Sequence, residues 1–121
     1  INKMVDKKND KNCLFCKIVT GEVPCQQIYS DTTVLAFQDI NPVAKIHVVV
    51  IPKTHYVNFS KIRPTDESVV GHLFSVAGKI ANLLDVVTSG YRIVVNQGSD
   101  AGQEIDHFHY HILGGQKLHR L

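Results

Sequence analysis

The chain lacks the features that mark several large classes of protein. No run of apolar residues approaches the roughly 20 that a membrane-spanning helix needs, and no signal-peptide pattern is visible. The 13 basic and 11 acidic residues leave a formal charge of only +2, which gives no support to nucleic-acid binding through a broad basic surface. We therefore expect neither a membrane nor a nucleic acid among the partners.

Cysteine is scarce, and its placement argues against a fold held by disulfides. Cys13 and Cys16 form a close Cys-x-x-Cys pair, whereas Cys25 has no visible partner and is interpreted as a small apolar filler. An odd count with one close pair favours a reducing compartment, cytoplasmic with the nucleus as an alternative. The pair is also half of a zinc-type site, unless the two cysteines simply pack in a helix without metal.

What the chain does contain is typical of one globular domain. Hydrophobic residues make up 44% and charged residues 20% of its 121 positions, which predicts an adequate core without cross-links. Residues 1–10 mix basic residues with acids and amides, a composition that predicts a disordered arm. Residues 11–121 are expected to form the domain.

Hydrophobic periodicity predicts several strands. Before them, a short helix is expected from Cys13 to about Gly21. The strand candidates are a hairpin of 26–30 with 32–40, two buried strands at 45–52 and 91–96, and a last strand at 106–115.

One long helix is predicted over residues 63–85. Thr65 is the expected N-cap, since the acidic residues that follow it suit the helix dipole. An apolar stripe with 3/4 spacing is interpreted as core facing the sheet; it comprises Val69, Val70, Leu73, Phe74, Ala77, Ile80 and Leu84. Strands on both sides of one helix predict an α+β fold with a mostly antiparallel sheet.

Three histidines recur at every second position of the last predicted strand: His107, His109 and His111. Side chains alternate across a strand, so the three imidazoles share one face and the apolar residues between them share the other. The outer two are roughly 13 Å apart, from the rise per residue, which suits an extended anion such as a phosphate chain better than one metal ion. A central histidine held at one ring nitrogen is a competent nucleophile toward phosphorus. A merely histidine-rich exposed face is the alternative.

A polar loop with glycines stands immediately before the histidine row. Asn96, Ser99 and Gln103 lie in or beside it, and its glycines free backbone N–H groups that can cradle an oxyanion. A plain turn is the alternative interpretation. The position of the loop favours phosphate binding.

Several blocks of the sequence together resemble the histidine triad (HIT) superfamily of nucleotide hydrolases and transferases, in particular its Hint branch. The blocks are "CLFCKIVTGEVP", "LAFQDINPVAKIHVVVIPKTH", "GYRIVVNQGSDAGQ" and "HFHYHILGG", in that order. The resemblance covers roughly residues 11–119. It implies a HIT-like fold with a five-stranded antiparallel sheet, one long and one short helix, and a sheet extended across a homodimer.

The resemblance also implies an activity. Members of this branch bind purine nucleotides and cleave the P–N bond of nucleoside 5′-phosphoramidates through a nucleotidyl-histidine intermediate, with no organic cofactor. His109 matches the nucleophile, held by a backbone carbonyl, and His111 and His47 match phosphate contacts. Hydrolysis of dinucleoside polyphosphates is an alternative, which the "LGG" ending disfavours. A nucleotide-binding interaction protein with incidental catalysis is another.

Further positions match nucleotide-binding residues of the family. Asp39 matches the carboxylate that accepts both ribose hydroxyls, and Asn96 and Gln103 match polar residues around the phosphate. Glu104 stands where many members carry a hydroxyl residue, so protonation of the leaving group is expected through that carboxyl or through His107 and His111. The apolar slot for the base is matched by Phe15, Ile18, Val23, Phe37 and Ile40, any one of which is equally suited to the core.

The resemblance extends to a metal site. Several members with this cysteine pair bind structural zinc through two further histidines, at the positions of His55 and His107. With Cys13 and Cys16, this chain has all four ligands. A zinc site would give His107 a structural role in place of a catalytic one, and a metal-free cluster is the alternative.

Overall fold

The fold is built on one five-stranded antiparallel sheet, in a computed structural model that describes residues 10–121. The strand order is β1-β2-β3-β5-β4. The elements are α1 (Leu14–Val19), β1 (Gln27–Ser30), β2 (Val34–Gln38), β3 (Ile46–Pro52), α2 (Glu67–Leu83), β4 (Tyr91–Val94) and β5 (Tyr110–Gly114). The predicted α+β class is confirmed, whereas the disordered arm predicted at 1–10 falls, apart from residue 10, outside the described residues.

Strand β3 lies at the centre of the sheet, paired with β2 and β5. Val48 and Val50 pack toward α2, while Val49 and Ile51 pack toward α1. Because both faces are covered, apolar residues occupy both sets of alternating positions, as expected for a buried strand.

Helix α2 covers one face of the sheet. Its buried residues are Leu73, Val76, Ala77, Ile80 and Ala81. The apolar residues between the histidines, Phe108, Tyr110 and Ile112, belong to the same core. The Tyr110 hydroxyl donates to the carbonyl oxygen of Leu73 at 2.6 Å, and its ring stacks on Phe74. These contacts bind the histidine-bearing segment to α2.

Helix α1 covers only part of the opposite face. Its N-cap is Cys13, whose Sγ accepts a hydrogen bond from the Cys16 N–H at 3.4 Å. Phe15 and Cys16 are buried against residues of β2 and β3. Six residues are too few to cover five strands, so space remains on this face for a cavity.

Several sequence-based expectations about the elements are wrong. Thr65 is not the N-cap of α2, because Pro64–Asp66 form a 3₁₀ turn and Asp66 precedes the helix without a side-chain cap. The 91–96 segment is not a buried strand: β4 lies at the sheet edge, and Ile93 is 38% exposed.

The last strand also begins later than residue 106. The N–H of Phe108 donates to the Tyr56 carbonyl and not to a neighbouring strand, so His107 and His109 precede β5. Within residues 10–121, no helix is long and apolar enough to cross a membrane.

Candidate active site and metal centre

A cavity of about 280 Å³ opens on the α1 face of the sheet. Its walls include all five residues predicted for the base slot, Phe15, Ile18, Val23, Phe37 and Ile40, joined by other apolar side chains. The polar part of its lining includes Asp39, Glu104, His109 and His111. The structure therefore gathers an apolar slot, two carboxylates and two imidazoles around one space.

Main-chain contacts fix the chemical form of His109. Its Nδ1–H donates to the backbone carbonyl of His107 at 2.7 Å. A neutral imidazole carries one N–H, so Nε2 keeps its lone pair. The ring of Phe15 meets the imidazole edge-on, with centroids 5.1 Å apart, and His109 is only 6% exposed. His109 is thus a nearly buried imidazole with one bare nitrogen at the wall of the cavity.

A second main-chain contact fixes His47, and through it His111. The Val43 N–H donates to His47 Nδ1 at 3.0 Å, so the proton of His47 lies on Nε2. That Nε2–H donates to His111 Nδ1 at 2.9 Å, with Asp39 Oδ2 3.3 Å away. His111 therefore carries its own proton on Nε2, where it is available as a donor. The chain of contacts gives His109 and His111 opposite tautomers.

Burial keeps these imidazoles neutral near pH 7. Burial lowers the pKa of His111 to about 4, with repulsion from His109 and His47 acting in the same direction. Burial likewise lowers the pKa values of His47 and His109. The negative charge of Asp39 raises both pKa values, but the effect of burial is larger. Neutral imidazole is the form that acts as a nucleophile or as a hydrogen-bond relay.

Asp39, His47 and His111 also lie close enough together to be considered as a metal site. The Val43 N–H argues against it, because His47 Nδ1 is already an acceptor and Nε2 must carry the proton. A protonated nitrogen is no metal ligand. These three residues are better described as a hydrogen-bonded chain.

Four residues form a second polar group beside the cavity: Cys13, Cys16, His55 and His107. Their ligand atoms all lie within 4.8 Å of one another. His107 Nδ1 is 3.4 Å from Cys13 Sγ, 3.5 Å from Cys16 Sγ and 3.2 Å from His55 Nδ1. The His107 Nε2–H donates to the Pro52 carbonyl at 2.8 Å, which leaves Nδ1 bare toward the group.

This arrangement fits a tetrahedral metal ion. Zinc binds thiolate at about 2.3 Å and imidazole at about 2.0–2.1 Å, so ligand atoms at tetrahedral corners are roughly 3.3–3.8 Å apart. The contacts of 3.2–3.5 Å within the group approach that spacing. The Pro52 carbonyl also supplies the outer hydrogen bond that orients a metal-bound imidazole. The group can hold a metal.

Several predicted site residues lie outside the cavity lining. His107 is fully buried in the Cys/His group. Gln103 braces two loops, since its Nε2–H₂ donates to the Val57 carbonyl and its Oε1 accepts from the Gly98 N–H. Ser99 is exposed on a 3₁₀ turn, and Asn96 is half-buried. In the polar segment before the three histidines, Gly102 and Glu104 do line the cavity.

Some contributors could not be identified from the sequence. Val43 and Pro52 act through backbone N–H and carbonyl groups, which no residue type signals. Cys25 is exposed and lines the cavity, so its interpretation as a filler is wrong. In the sequence, Cys25 directly follows Val23 and Pro24, which also line the cavity, and no other feature links it to the site.

Comparison with known proteins agrees with this geometry. The HIT domain family matches residues 20–118. A histidine triad protein from Clostridium difficile is 44% identical, with 93% of this chain and 98% of that chain covered and a TM-score of 0.90. A HIT family hydrolase from Clostridium thermocellum is 39% identical, with the same coverage and a TM-score of 0.90.

A more distant solved structure is that of a histidine triad nucleotide-binding protein from Candida albicans. It is 28% identical, with 91% of this chain and 85% of that chain covered and a TM-score of 0.78. Fold, motif order and family match agree. The chain belongs to the histidine triad (HIT) family.

Proposed function

We propose that the protein is a purine nucleoside phosphoramidase, a hydrolase that cleaves the P–N bond of nucleoside 5′-phosphoramidates. The observation that carries the proposal is the pairing of opposite tautomers in one cavity. His109 has a bare Nε2, and His111 has a protonated Nε2. Similar solved structures include proteins described as a HIT family hydrolase and as a nucleotide-binding protein.

The tautomers suit a two-step displacement. His109 Nε2 attacks the α-phosphorus, and the bond from phosphorus to the leaving amine breaks. The His107 carbonyl oxygen, which accepts the His109 Nδ1–H, stabilises the positive charge that develops on the ring. The neutral His111 ring donates its Nε2–H as a hydrogen bond to a phosphoryl oxygen, and the amine leaves with a proton from the Glu104 carboxyl, which regains one from the attacking water in the second step. Water then cleaves the nucleotidyl-histidine bond, which releases the nucleoside monophosphate.

The cavity also offers the groups that a nucleotide needs. Its apolar walls would receive the base, with Ile40, 90% exposed, at the mouth. Asp39 would accept the ribose hydroxyls, since its Oδ1 and Oδ2 are positioned by the Asn41 N–H and His47. An ionised carboxylate only accepts hydrogen bonds, which matches two hydroxyl donors.

The activity test compares wild type with His109→Ala on an amine-linked adenosine phosphoramidate. We expect wild type to release AMP and His109→Ala to lose at least about a thousandfold in rate, as when a catalytic nucleophile is removed. Mass spectrometry of acid-quenched wild type should detect a nucleotidyl adduct on His109. His119→Ala is the matched control, because that histidine is exposed and outside the cavity lining. Equal rates for wild type and His109→Ala would refute the nucleophile.

We further propose that Cys13, Cys16, His55 and His107 bind zinc as a structural ion. Zinc would tie the start of α1 to the segment before β5, in a compartment that keeps thiols reduced. Elemental analysis of protein purified without a histidine tag should give about one zinc per chain. Less than about a third of an equivalent would argue against the site.

A homodimer through the β4 edge is the third part of the proposal. Edge strands expose unpaired backbone groups, and β4 adds an exposed Ile93. Pairing of two β4 strands would join both sheets into one. Analytical ultracentrifugation should show a dimer for wild type and a shift toward monomer for Ile93→Asp. Gln27→Asp, on the opposite edge, is the control and should remain dimeric.

A further inference from the structure

We propose that the metal bound by the Cys/His group sets the orientation of His109, so that the group positions the nucleophile in addition to bracing the fold. The inference rests on the proposed zinc site and on the proposed role of His109. The link is His107, whose ring belongs to the group. Its backbone carbonyl accepts the 2.7 Å hydrogen bond from His109 Nδ1–H.

The ring of His107 is held at both nitrogens when a metal is bound. Nε2–H donates to the carbonyl of Pro52, the last residue of β3. Nδ1 lies 3.2–3.5 Å from its three partners in the group, and the residue is 0% exposed. A bound ion would lock Nδ1, and the ring would then have no rotational freedom left. The His107 backbone, and with it the carbonyl that orients His109, would be fixed in turn.

A second contact runs from the same group to His109 through α1. Phe15 lies between the ligands Cys13 and Cys16, and its ring meets both His109 and His107 edge-on at 5.1 and 5.8 Å. The turn that carries it is capped by the Cys13 Sγ. An ion bound to both sulfurs would therefore fix the Phe15 ring beside His109, just as it would fix the His107 carbonyl.

A purely structural metal has different consequences. It would raise the free energy of unfolding without changing the tautomer or mobility of the His109 ring in the folded protein. A positioning metal changes that ring directly. Small misplacements of a nucleophile reduce kcat strongly, while the affinity for AMP depends mainly on the base slot and Asp39. The two roles therefore separate in the tautomer of His109 and in the split between kcat and binding.

The experiment uses the full chain at one fixed pH, zinc-loaded and chelator-stripped. Two-bond ¹H–¹⁵N spectra report the tautomer of His109, with the resonances assigned from His109→Ala. We expect the loaded protein to show a single Nδ1–H tautomer and the stripped protein to show mixed tautomers. We also expect kcat to fall between about tenfold and a hundredfold on stripping, with the AMP dissociation constant unchanged by calorimetry.

Matched variants separate positioning from stability. His55→Ala should lose zinc and the single tautomer, whereas His55→Cys keeps four ligands and should retain both. Val76→Ala removes core packing beneath α2, where Val76 is 0% exposed, without touching the group. It should lower the melting temperature and leave the tautomer and kcat intact. If His55→Ala fails to fold, the comparison of zinc-loaded with chelator-stripped wild type tests the inference.

The inference is overturned if the chain binds no zinc, or if stripped protein keeps a single His109 tautomer and full kcat. Failure of the phosphoramidase proposal has another signature, namely no AMP release by the zinc-loaded wild type. The tautomers of loaded and stripped protein can still be compared in that case, so failure of the inference and failure of the phosphoramidase proposal are distinguishable.

Discussion

At the scale of single residues, backbone groups decide what each histidine can do. The Val43 N–H places the proton of His47 on Nε2. The Pro52 carbonyl likewise holds the proton of His107 on Nε2, whereas the His107 carbonyl holds that of His109 on Nδ1. Identical side chains thereby become an acceptor, a donor or a ligand. The chemistry of the cavity depends on these contacts as much as on the histidines themselves.

Substitution of His47 tests this relay. His47→Leu removes the N–H that holds His111 Nδ1, so the tautomer of His111 is no longer fixed. We expect kcat to fall up to about tenfold, since one neutral hydrogen bond contributes about 0.5–1.5 kcal/mol. His47→Gln places an amide N–H₂ near the former Nε2 and should recover part of the loss. Steady-state kinetics on the phosphoramidate substrate measure both variants, and equal kcat values for them would contradict the relay.

The sequence could predict which histidines come together at the cavity, but not their tautomers. A spacing of two residues in extended backbone is enough to put His109 and His111 on one face. The tautomers depend on Val43 and Pro52, which come close only after the chain folds. The sequence likewise gives no sign that the Gln103 amide bonds to backbone groups of the loops.

At the scale of elements, one carboxylate ties the β1–β2 turn to α2. Asp31 Oδ1 accepts from the N–H groups of Thr33 and Val34, both at 2.8 Å. Its Oδ2 accepts from the Tyr29 hydroxyl at 2.8 Å and from His72 Nε2 on α2 at 2.6 Å. Partial burial raises the pKa of Asp31. The hydrogen bonds, of which that from His72 has the largest effect, lower the pKa by more than burial raises it, so the net pKa lies below its usual range.

The depressed pKa makes this tie dependent on pH. The unfolded chain binds a proton on Asp31 near its ordinary pKa of about 3.9, before the folded protein does. The contribution is therefore fully present above about pH 5 and is lost progressively as pH falls through the lower folded pKa. Asp31→Asn should cost about 1–3 kcal/mol at pH 7, and its difference from wild type should shrink toward pH 3.

Urea unfolding at pH 7, 5 and 3 measures that difference. Asp100→Asn is the control, because Asp100 is exposed on a 3₁₀ turn; it should match wild type at each pH. A difference between Asp31→Asn and wild type that stays constant with pH would contradict the assignment.

Element predictions succeeded where a local pattern alone decides and failed where pairing order decides. The continuous β-branched run at 45–52 predicts β3, and the 3/4 spacing predicts α2. The apolar run at 91–96 predicts a buried strand, yet β4 lies at the edge because β5 takes the place beside β3. Strand order depends on long-range pairing, which a local pattern does not encode.

At the scale of the whole molecule, the two faces of the sheet have different tasks. The α2 face forms the larger core, including Val50, Tyr110 and Leu73. The α1 face contains the smaller core and shares Phe15, Phe37 and Val49 with the cavity. One layer of backbone therefore separates residues that serve stability alone from residues that also shape the site.

Val49 and Val50 allow this division to be tested with adjacent, identical side chains. They are 2% and 0% exposed on β3, and only Val49 lines the cavity. Either substitution by Ala should cost about 1–3 kcal/mol of unfolding free energy in urea titrations. Calorimetry should show about three- to tenfold weaker AMP binding for Val49→Ala, from lost apolar contact, and unchanged binding for Val50→Ala. Equal losses of AMP affinity in both variants would mean that the α2 core and the cavity are energetically coupled across the sheet.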